Sequence, residues 1–325
     1  MHAWLCKTPT GAQDLAWTEL PAPAPGPGEL LIEIEAASLN FPDLLIVQNK
    51  YQFKPELPFV PGCEYAGIVR AVGNDVSGYS PGDRAACYAG TGGFATHAVA
   101  PVEKCLRMPS DCDPAEAAAF VMAYATSHHA LMDRAALKAG ETVLVLGGAG
   151  GVGSSAIQIA RAAGARVIAA ASTSAKCAYC VKLGAHAAIN YASQDLRAEL
   201  KALTDGRGPD VIYDPVGGPY AEPAFRSIAW RGRYLVVGFA AGAIGALPMN
   251  LPLLKGASVV GVFWGDYARR EPAANARMLD ELVDMLRAGA LKPPIDRIMP
   301  MSELKAAYAR MNDRKVMGKL IVRNG

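Results

Sequence analysis

One stretch constrains this chain more than any other: Thr142-Val-Leu-Val-Leu-Gly-Gly-Ala-Gly-Gly-Val-Gly153. An apolar run that could only be a buried strand opens directly into a glycine pattern at Gly148, Gly150 and Gly153. In such a pattern the first glycine permits a tight turn and the second lets the backbone approach a pyrophosphate. The third lets the following helix pack closely. Gly151 and Val152 then lie in the first helical turn, where unpaired N–H groups attract an anion.

The pattern is weak alone, and its surroundings give it weight. Strands are predicted at Thr142–Leu146, Arg166–Ala171, His186–Asn190, Asp210–Asp214, Arg233–Val237 and Ser258–Phe263. Helical stretches at Val152–Ala163, Ser174–Leu183, Asp195–Leu203 and Tyr220–Ala229 alternate with them. This βαβ rhythm predicts a doubly wound parallel sheet that binds a dinucleotide. The preceding residues differ. Alternating runs such as Glu29–Glu35 and Tyr65–Val69, with turn signals at Gly73-Asn74 and Pro81-Gly82-Asp83, predict an irregular barrel. Ala115 to Ala136 is helical in pattern, and a further helix is expected over Ala273–Ala288. At 325 residues the chain exceeds the ~250–300 at which one core divides, so two domains are expected.

The end of the second strand carries cofactor information. Ala171-Ser172-Thr173-Ser174-Ala175-Lys176 lacks the Asp or Glu that would grip a ribose 2′-hydroxyl. Ser172 can donate a hydrogen bond and Lys176 can neutralise a phosphate, which favours NADPH over NADH.

Other function classes are disfavoured. Lys+Arg 32 against Asp+Glu 30 leaves a net charge of +2, far from a nucleic-acid-binding excess. The uncharged run Tyr234–Leu254 is broken by Gly238, Gly242, Gly245, Pro248 and Pro252, so it is not expected to span a membrane. The first residues lack a secretory pattern, and seven irregularly spaced cysteines suggest a reducing, cytoplasmic setting. Cys177 and Cys180 form a lone CxxC without the second pair that a zinc ribbon needs. No metal site is expected: His128 and His129 are adjacent and diverge on a helix, and Cys63 precedes Glu64 where a histidine would serve a zinc enzyme.

These motifs together carry a family likeness. Ala36-Ala-Ser-Leu-Asn-Phe-Pro-Asp43, Leu57-Pro-Phe-Val-Pro-Gly-Cys-Glu-Tyr-Ala-Gly67, Val72-Gly-Asn-Asp-Val76 and Pro81-Gly-Asp-Arg84 lie before the glycine loop. Ile189-Asn-Tyr191, Val211-Ile-Tyr-Asp-Pro-Val-Gly-Gly218, Gly232-Arg-Tyr-Leu-Val-Val-Gly-Phe239 and Met317-Gly-Lys319 follow it. The chain resembles the zinc-independent quinone oxidoreductases, the zeta-crystallin-like group of the medium-chain dehydrogenase/reductase superfamily.

The resemblance implies an α/β protein with a chaperonin-10-like barrel built from both ends of the chain and an inserted Rossmann domain. It places the barrel at 1–120 and 266–325, the Rossmann domain at 121–265, and NADPH in the cleft. It also implies a homodimer paired through Ser258–Phe263. By position, Lys176 and Tyr191 would hold the 2′-phosphate and adenosine ribose, and Thr126 and Asn40 would line the nicotinamide side. Gly238, Phe239, Phe263, Trp264 and Lys319 complete the implied cofactor contacts. Asn40 and Tyr51 are the candidate catalytic residues, either hydrogen-bonding a substrate carbonyl or orienting the nicotinamide. Leu45 stands where several reductases of the superfamily carry a pocket tyrosine, so a positioned phenol is missing there.

The expected substrate is a quinone or similar electron-poor conjugated carbonyl, which needs neither metal nor strong acid. Reduction of an enone, alkenal or enoyl thioester is the alternative, and needs a protonation route. An NADPH-binding protein without turnover is the third reading.

Overall fold

The computed structural model describes every residue, Met1–Gly325. The chain forms two compact units, one of Met1–Met122 with Lys292–Gly325 and one of Ala123–Leu291.

In the second unit six strands form one all-parallel sheet. Their order is Ala187–Asn190, Arg166–Ala171, Thr142–Leu146, Val211–Asp214, Arg233–Val236, Ser258–Gly261. The central strands read as unbroken apolar runs because both faces are covered: Val143, Leu144, Val145 and Leu146 are all buried. The chain winds outward from Thr142–Leu146 in one direction, then crosses back to Val211–Asp214. At this switch in order, strand carboxyl ends diverge and leave room for a ligand. The glycine turn leaves the sheet there.

Helix starts follow local chemistry. Thr173 accepts from the Lys176 N–H at 3.2 Å and opens the helix Ser174–Lys182. Asp195 accepts from the N–H groups of Arg197 at 2.8 Å and Ala198 at 3.0 Å, opening Leu196–Leu203. The helix expected over Tyr220–Ala229 is shorter, Ala221–Arg226, because Ser227 and Ile228 turn the chain back until the Ala229 N–H reaches the Pro209 carbonyl. The uncharged run from Tyr234 divides into a strand, a loop and the helix Asn250–Lys255. No helix is long and apolar enough to cross a membrane.

In the first unit, strand Glu29–Leu39 organises a seven-stranded sheet. It pairs antiparallel with Glu64–Val72, with His97–Pro101 and, at its far end, with the final strand Lys319–Arg323. Ile295–Pro300 lies parallel beyond that final strand. The expected return of the chain's end to the N-terminal half is therefore a strand insertion into the sheet.

The expected boundary at 265/266 is corrected to 291/292. Helices Trp264–Arg270 and Pro272–Arg287 stay with the second unit because specific contacts hold them there. The Trp264 indole N–H donates to Asn275 at 2.8 Å, and the His129 ring stacks on Tyr267 with centroids 4.2 Å apart. His128 faces Glu281 at 3.6 Å, while Met278, Leu282 and Val283 form the buried helix face. Burial holds both histidines below the usual range. They serve packing.

Candidate functional site

The glycine turn divides its tasks differently from the sequence expectation. The left-handed conformation falls on Gly147, with φ +61°, where a Cβ would lie 2.7 Å from a Val216 methyl. Gly148, expected to make that turn, instead allows close packing: a Cβ would stand 3.0 Å from Cys180 Sγ and 3.1 Å from Ala169 Cβ. At Gly150 the nearest atom to a Cβ is the Gly147 oxygen at 3.5 Å, so this position is comparatively open. No side chain caps the helix Gly151–Ala162. Its first-turn N–H groups, at Gly151, Val152 and Gly153, therefore remain suited to an anion. Gly153 is irreplaceable for another reason: its Cβ would lie 2.2 Å from the Gly147 oxygen.

This turn rests on buried hydroxyls that sequence reasoning missed. Ser127 Oγ donates to the Val152 carbonyl at 2.9 Å and lies 2.8 Å from both Ser155 Oγ and Tyr213 Oη. Ser155 Oγ also reaches the Ala123 carbonyl at 2.9 Å, which ties the helix Val121–His128 to the glycine-loop helix. Thr126, a partly exposed residue of that tied helix, is thereby fixed in place. A second missed residue is Asp214. Its carboxylate accepts from the N–H groups of Val216 at 2.7 Å and Gly217 at 2.8 Å, and from the Tyr234 hydroxyl. The turn so held packs on the next loop, where a Cβ on Gly217 would meet the Phe239 ring at 2.9 Å and one on Gly238 the Pro215 oxygen at 3.3 Å.

Of the remaining expected cofactor residues, Ser172 and Lys176 flank the Thr173 cap and are half-buried. Tyr191 lies against Tyr220, ring centroids 4.2 Å apart. Phe239 and Phe263 are exposed. Trp264 is buried, and its indole N–H donates to Asn275. The residues fit a phosphorylated dinucleotide, since an open glycine turn and an uncapped helix start lie at the carboxyl end of one strand, and the half-buried Lys176 lies in the first turn of the helix after the next strand. Cys180 of the CxxC is buried beneath the glycine turn, and burial pushes its thiol up to about 12.

The first unit contains a separate polar cluster around Asn40. Asn40 precedes the helix Phe41–Ile46, and the Asp43 carboxylate folds back to accept the Asn40 N–H at 2.8 Å. It also accepts the Cys63 N–H at 2.9 Å. Burial raises Asp43 to about 6, opposed by these N–H donors, the Cys63 thiol and the Lys319 charge. Burial and the nearby Asp43 and Glu64 carboxylates hold the Cys63 thiol well above its usual range.

Glu64 is the centre. It is fully buried and accepts from Lys319 Nζ at 3.0 Å, Asn40 Nδ2 at 3.0 Å and the Met122 N–H at 2.8 Å. Lys319 Nζ donates in addition to Asn40 Oδ1 at 2.5 Å. Two expectations change accordingly. Lys319, expected at the cofactor, is buried and directed to Glu64 and Asn40. Asn40, expected to bind a carbonyl or orient the nicotinamide, has both ends of its amide engaged inside the barrel. Tyr51 is half-buried against the barrel core, and its phenol is pushed up by burial and by nearby Cys63 and Asp43. No three His, Cys, Asp or Glu side chains gather at metal-ligand spacing.

Comparison with known proteins agrees with this architecture. Residues 26–110 match the alcohol dehydrogenase GroES-like domain, and residues 151–282 match the family described as zinc-binding dehydrogenase. Quinone oxidoreductase-like protein 2 of Bos taurus is 35% identical over 297 residues, covering 91% of this chain and 85% of the relative. The chain belongs to the quinone oxidoreductase group of the medium-chain dehydrogenase/reductase superfamily. The Thermus thermophilus quinone oxidoreductase, solved also as its NADPH complex, superposes with a TM-score of 0.88 at 33% identity, covering 99% of this chain and 100% of that one. The Pseudomonas syringae quinone oxidoreductase gives 0.91 at 30% identity, with 99% of each chain covered. The protein is an oxidoreductase enzyme, which replaces the reading without turnover.

Two outcomes follow from the barrel cluster. Lys319→Ala leaves Glu64 buried without its cation and should lower unfolding free energy by about 3–5 kcal/mol; a loss below about 1 kcal/mol in urea denaturation would contradict the buried pair. Asp43 binds its proton more tightly folded, at about 6, than unfolded, at about 3.9. Its stabilising contribution is full below about pH 4 and is lost as pH rises through about 6. Wild type should therefore lose up to about 3 kcal/mol relative to Asp43→Asn between about pH 4 and 7. Parallel stability curves for the two proteins would show that Asp43 is not raised.

Proposed function

We propose that the protein catalyses NADPH-dependent, zinc-independent reduction of quinones or similar electron-poor conjugated carbonyls. The observation that carries this reading is the closed state of the barrel cluster. Asn40, Glu64 and Lys319 satisfy one another, Cys63 stays protonated, and Asp43 accepts backbone N–H groups. Lys319 supplies the positive charge that Glu64 needs, so the carboxylate has no demand for a metal cation. Such a cluster orients its surroundings and offers no strong acid. A quinone suits it, because aromatisation drives electron acceptance and water can supply protons.

NADPH supplies a transferable hydride when bound. Gly150, Gly151, Val152 and Gly153 would direct backbone N–H groups to its pyrophosphate, with Gly148 packing beneath them. Ser172 and Lys176 would hold the 2′-phosphate, and Tyr191 the adenosine ribose. Thr126, Gly238, Phe239 and Phe263 would line the nicotinamide. Tyr51 would line the acceptor's position without transferring a proton, while Asn40 and Lys319 act as positioning residues within the barrel.

Lys176→Glu should weaken NADPH binding about 100-fold or more and NADH binding only slightly. Equal loss for both cofactors would show that Lys176 does not read the phosphate. Steady-state rates with 1,4-benzoquinone, 2-alkenals and crotonyl thioesters test the acceptor. Quinone should be preferred, and a large thioester preference would overturn the reading.

A homodimer is part of the proposal. Ser258–Gly261 is an edge strand paired on one side alone, and Val259 is half exposed, with exposed Leu253, Leu254 and Phe263 in the same region of sequence. An open apolar edge of this kind is commonly covered by a second copy. Sedimentation of the full chain should show a dimer; a monomer at micromolar concentration would remove this part.

A further inference from the structure

Two cysteines distant in sequence meet within the first unit. Strands Arg84–Tyr88 and Cys105–Arg107 pair antiparallel, and Cys87 stands directly opposite Cys105. Directly opposed residues of an antiparallel pair have Cα separations of about 4.5–5.5 Å, inside the range a disulfide spans. The thiols already face each other: Cys87 Sγ donates to Cys105 Sγ at 3.4 Å, and Cys105 Sγ donates to the Pro101 carbonyl at 3.4 Å. Both are reduced. We propose that Cys87 and Cys105 are a peroxide-oxidisable dithiol that closes to a cross-strand disulfide.

The two thiols have different tasks. Cys105 is partly exposed, whereas Cys87 is fully buried. Its hydrogen bond to Cys105, together with burial, holds the Cys87 thiol protonated. Cys105 is therefore the attacking sulfur, and Cys87 the resolving one. The Cys105 thiolate attacks one peroxide oxygen, the O–O bond breaks, and water leaves with the thiol proton and the second oxygen. The Cys87 sulfur then attacks the Cys105 sulfenic acid, forming the S–S bond and releasing a second water. Two thiols and one hydrogen peroxide give one disulfide and two waters.

Arg107, on the same strand, commits its guanidinium to Asp83 at 2.7 Å and to the Gly78 carbonyl at 3.2 Å. The resolving sulfur is already in contact with Cys105 Sγ, so the sulfenic acid forms with its partner in place. The inference is independent of which acceptor the enzyme reduces.

The test treats the reduced full chain with hydrogen peroxide, then denatures it and labels thiols with N-ethylmaleimide. Wild type should take up two fewer labels than its seven free cysteines allow, and a peptide map should show Cys87 joined to Cys105. Dithiothreitol should restore both labels. In Cys105→Ser, Cys87 should remain fully labelled after the same treatment. The proposal is overturned if wild type keeps all its labels at peroxide doses that oxidise a free cysteine standard. It is overturned equally if the link joins other cysteines, such as Cys177 and Cys180, or if Cys105 ends as sulfinic acid without a link. Where Cys105→Ser does not fold, the wild-type peptide map decides alone.

Discussion

The barrel unit depends on one buried ion pair, Glu64 with Lys319. Glu64 begins the strand Glu64–Val72 and Lys319 begins the final strand, so the pair joins residues separated by most of the chain. Desolvating two charges is costly, and the cost is offset only where every remaining lone pair and proton finds a partner. Here Glu64 accepts from the Met122 backbone and the Asn40 amide as well as from Lys319, and the ammonium donates to Glu64 and Asn40. The pair also fixes register, because a one-residue slip of the last strand would turn Lys319 to the other face of the sheet. With that register fixed, the final strand sits beside Glu29–Leu39, and Asn40 is held at the strand's end.

This pair connects fold to chemistry. A carboxylate balanced by an ammonium leaves the polar groups around Asn40 already hydrogen-bonded. The second unit is organised differently, around backbone groups left available. An uncapped helix start and an open Gly150 suit a phosphorylated cofactor. The second unit thus offers anion recognition, whereas the first holds a hydrogen-bonded polar cluster of its own.

Features governed by local chemistry were legible in the sequence. The strands Thr142–Leu146 and Arg166–Ala171 have the expected bounds, and the Thr173 and Asp195 caps mark helix starts that residue type alone announces. Errors arose where distant residues decide. The motif puts its first glycine at Gly148, whereas the left-handed turn falls on Gly147, where a Val216 methyl leaves no room for a Cβ. The Trp264 indole N–H donates to Asn275, a contact that keeps helix Pro272–Arg287 with the second unit. Lys319 was expected at the cofactor since nothing local reveals that Glu64 lies opposite it. Cys87 and Cys105 looked scattered for the same reason: strand register brings them together.

In the proposed reaction the protein orients an acceptor that requires no proton from a side chain. This is tested by single-turnover oxidation of bound NADPH by 1,4-benzoquinone, followed in H2O and D2O from about pH 7 to 9, with Tyr51→Phe beside wild type. The account predicts a rate constant within about twofold across that range, a negligible solvent isotope effect, and a change of less than about threefold in Tyr51→Phe, against the ~100-fold or more expected of a general acid. A rate that falls as pH rises, carries a solvent isotope effect and collapses in Tyr51→Phe would contradict it, by showing that the tyrosine delivers a proton.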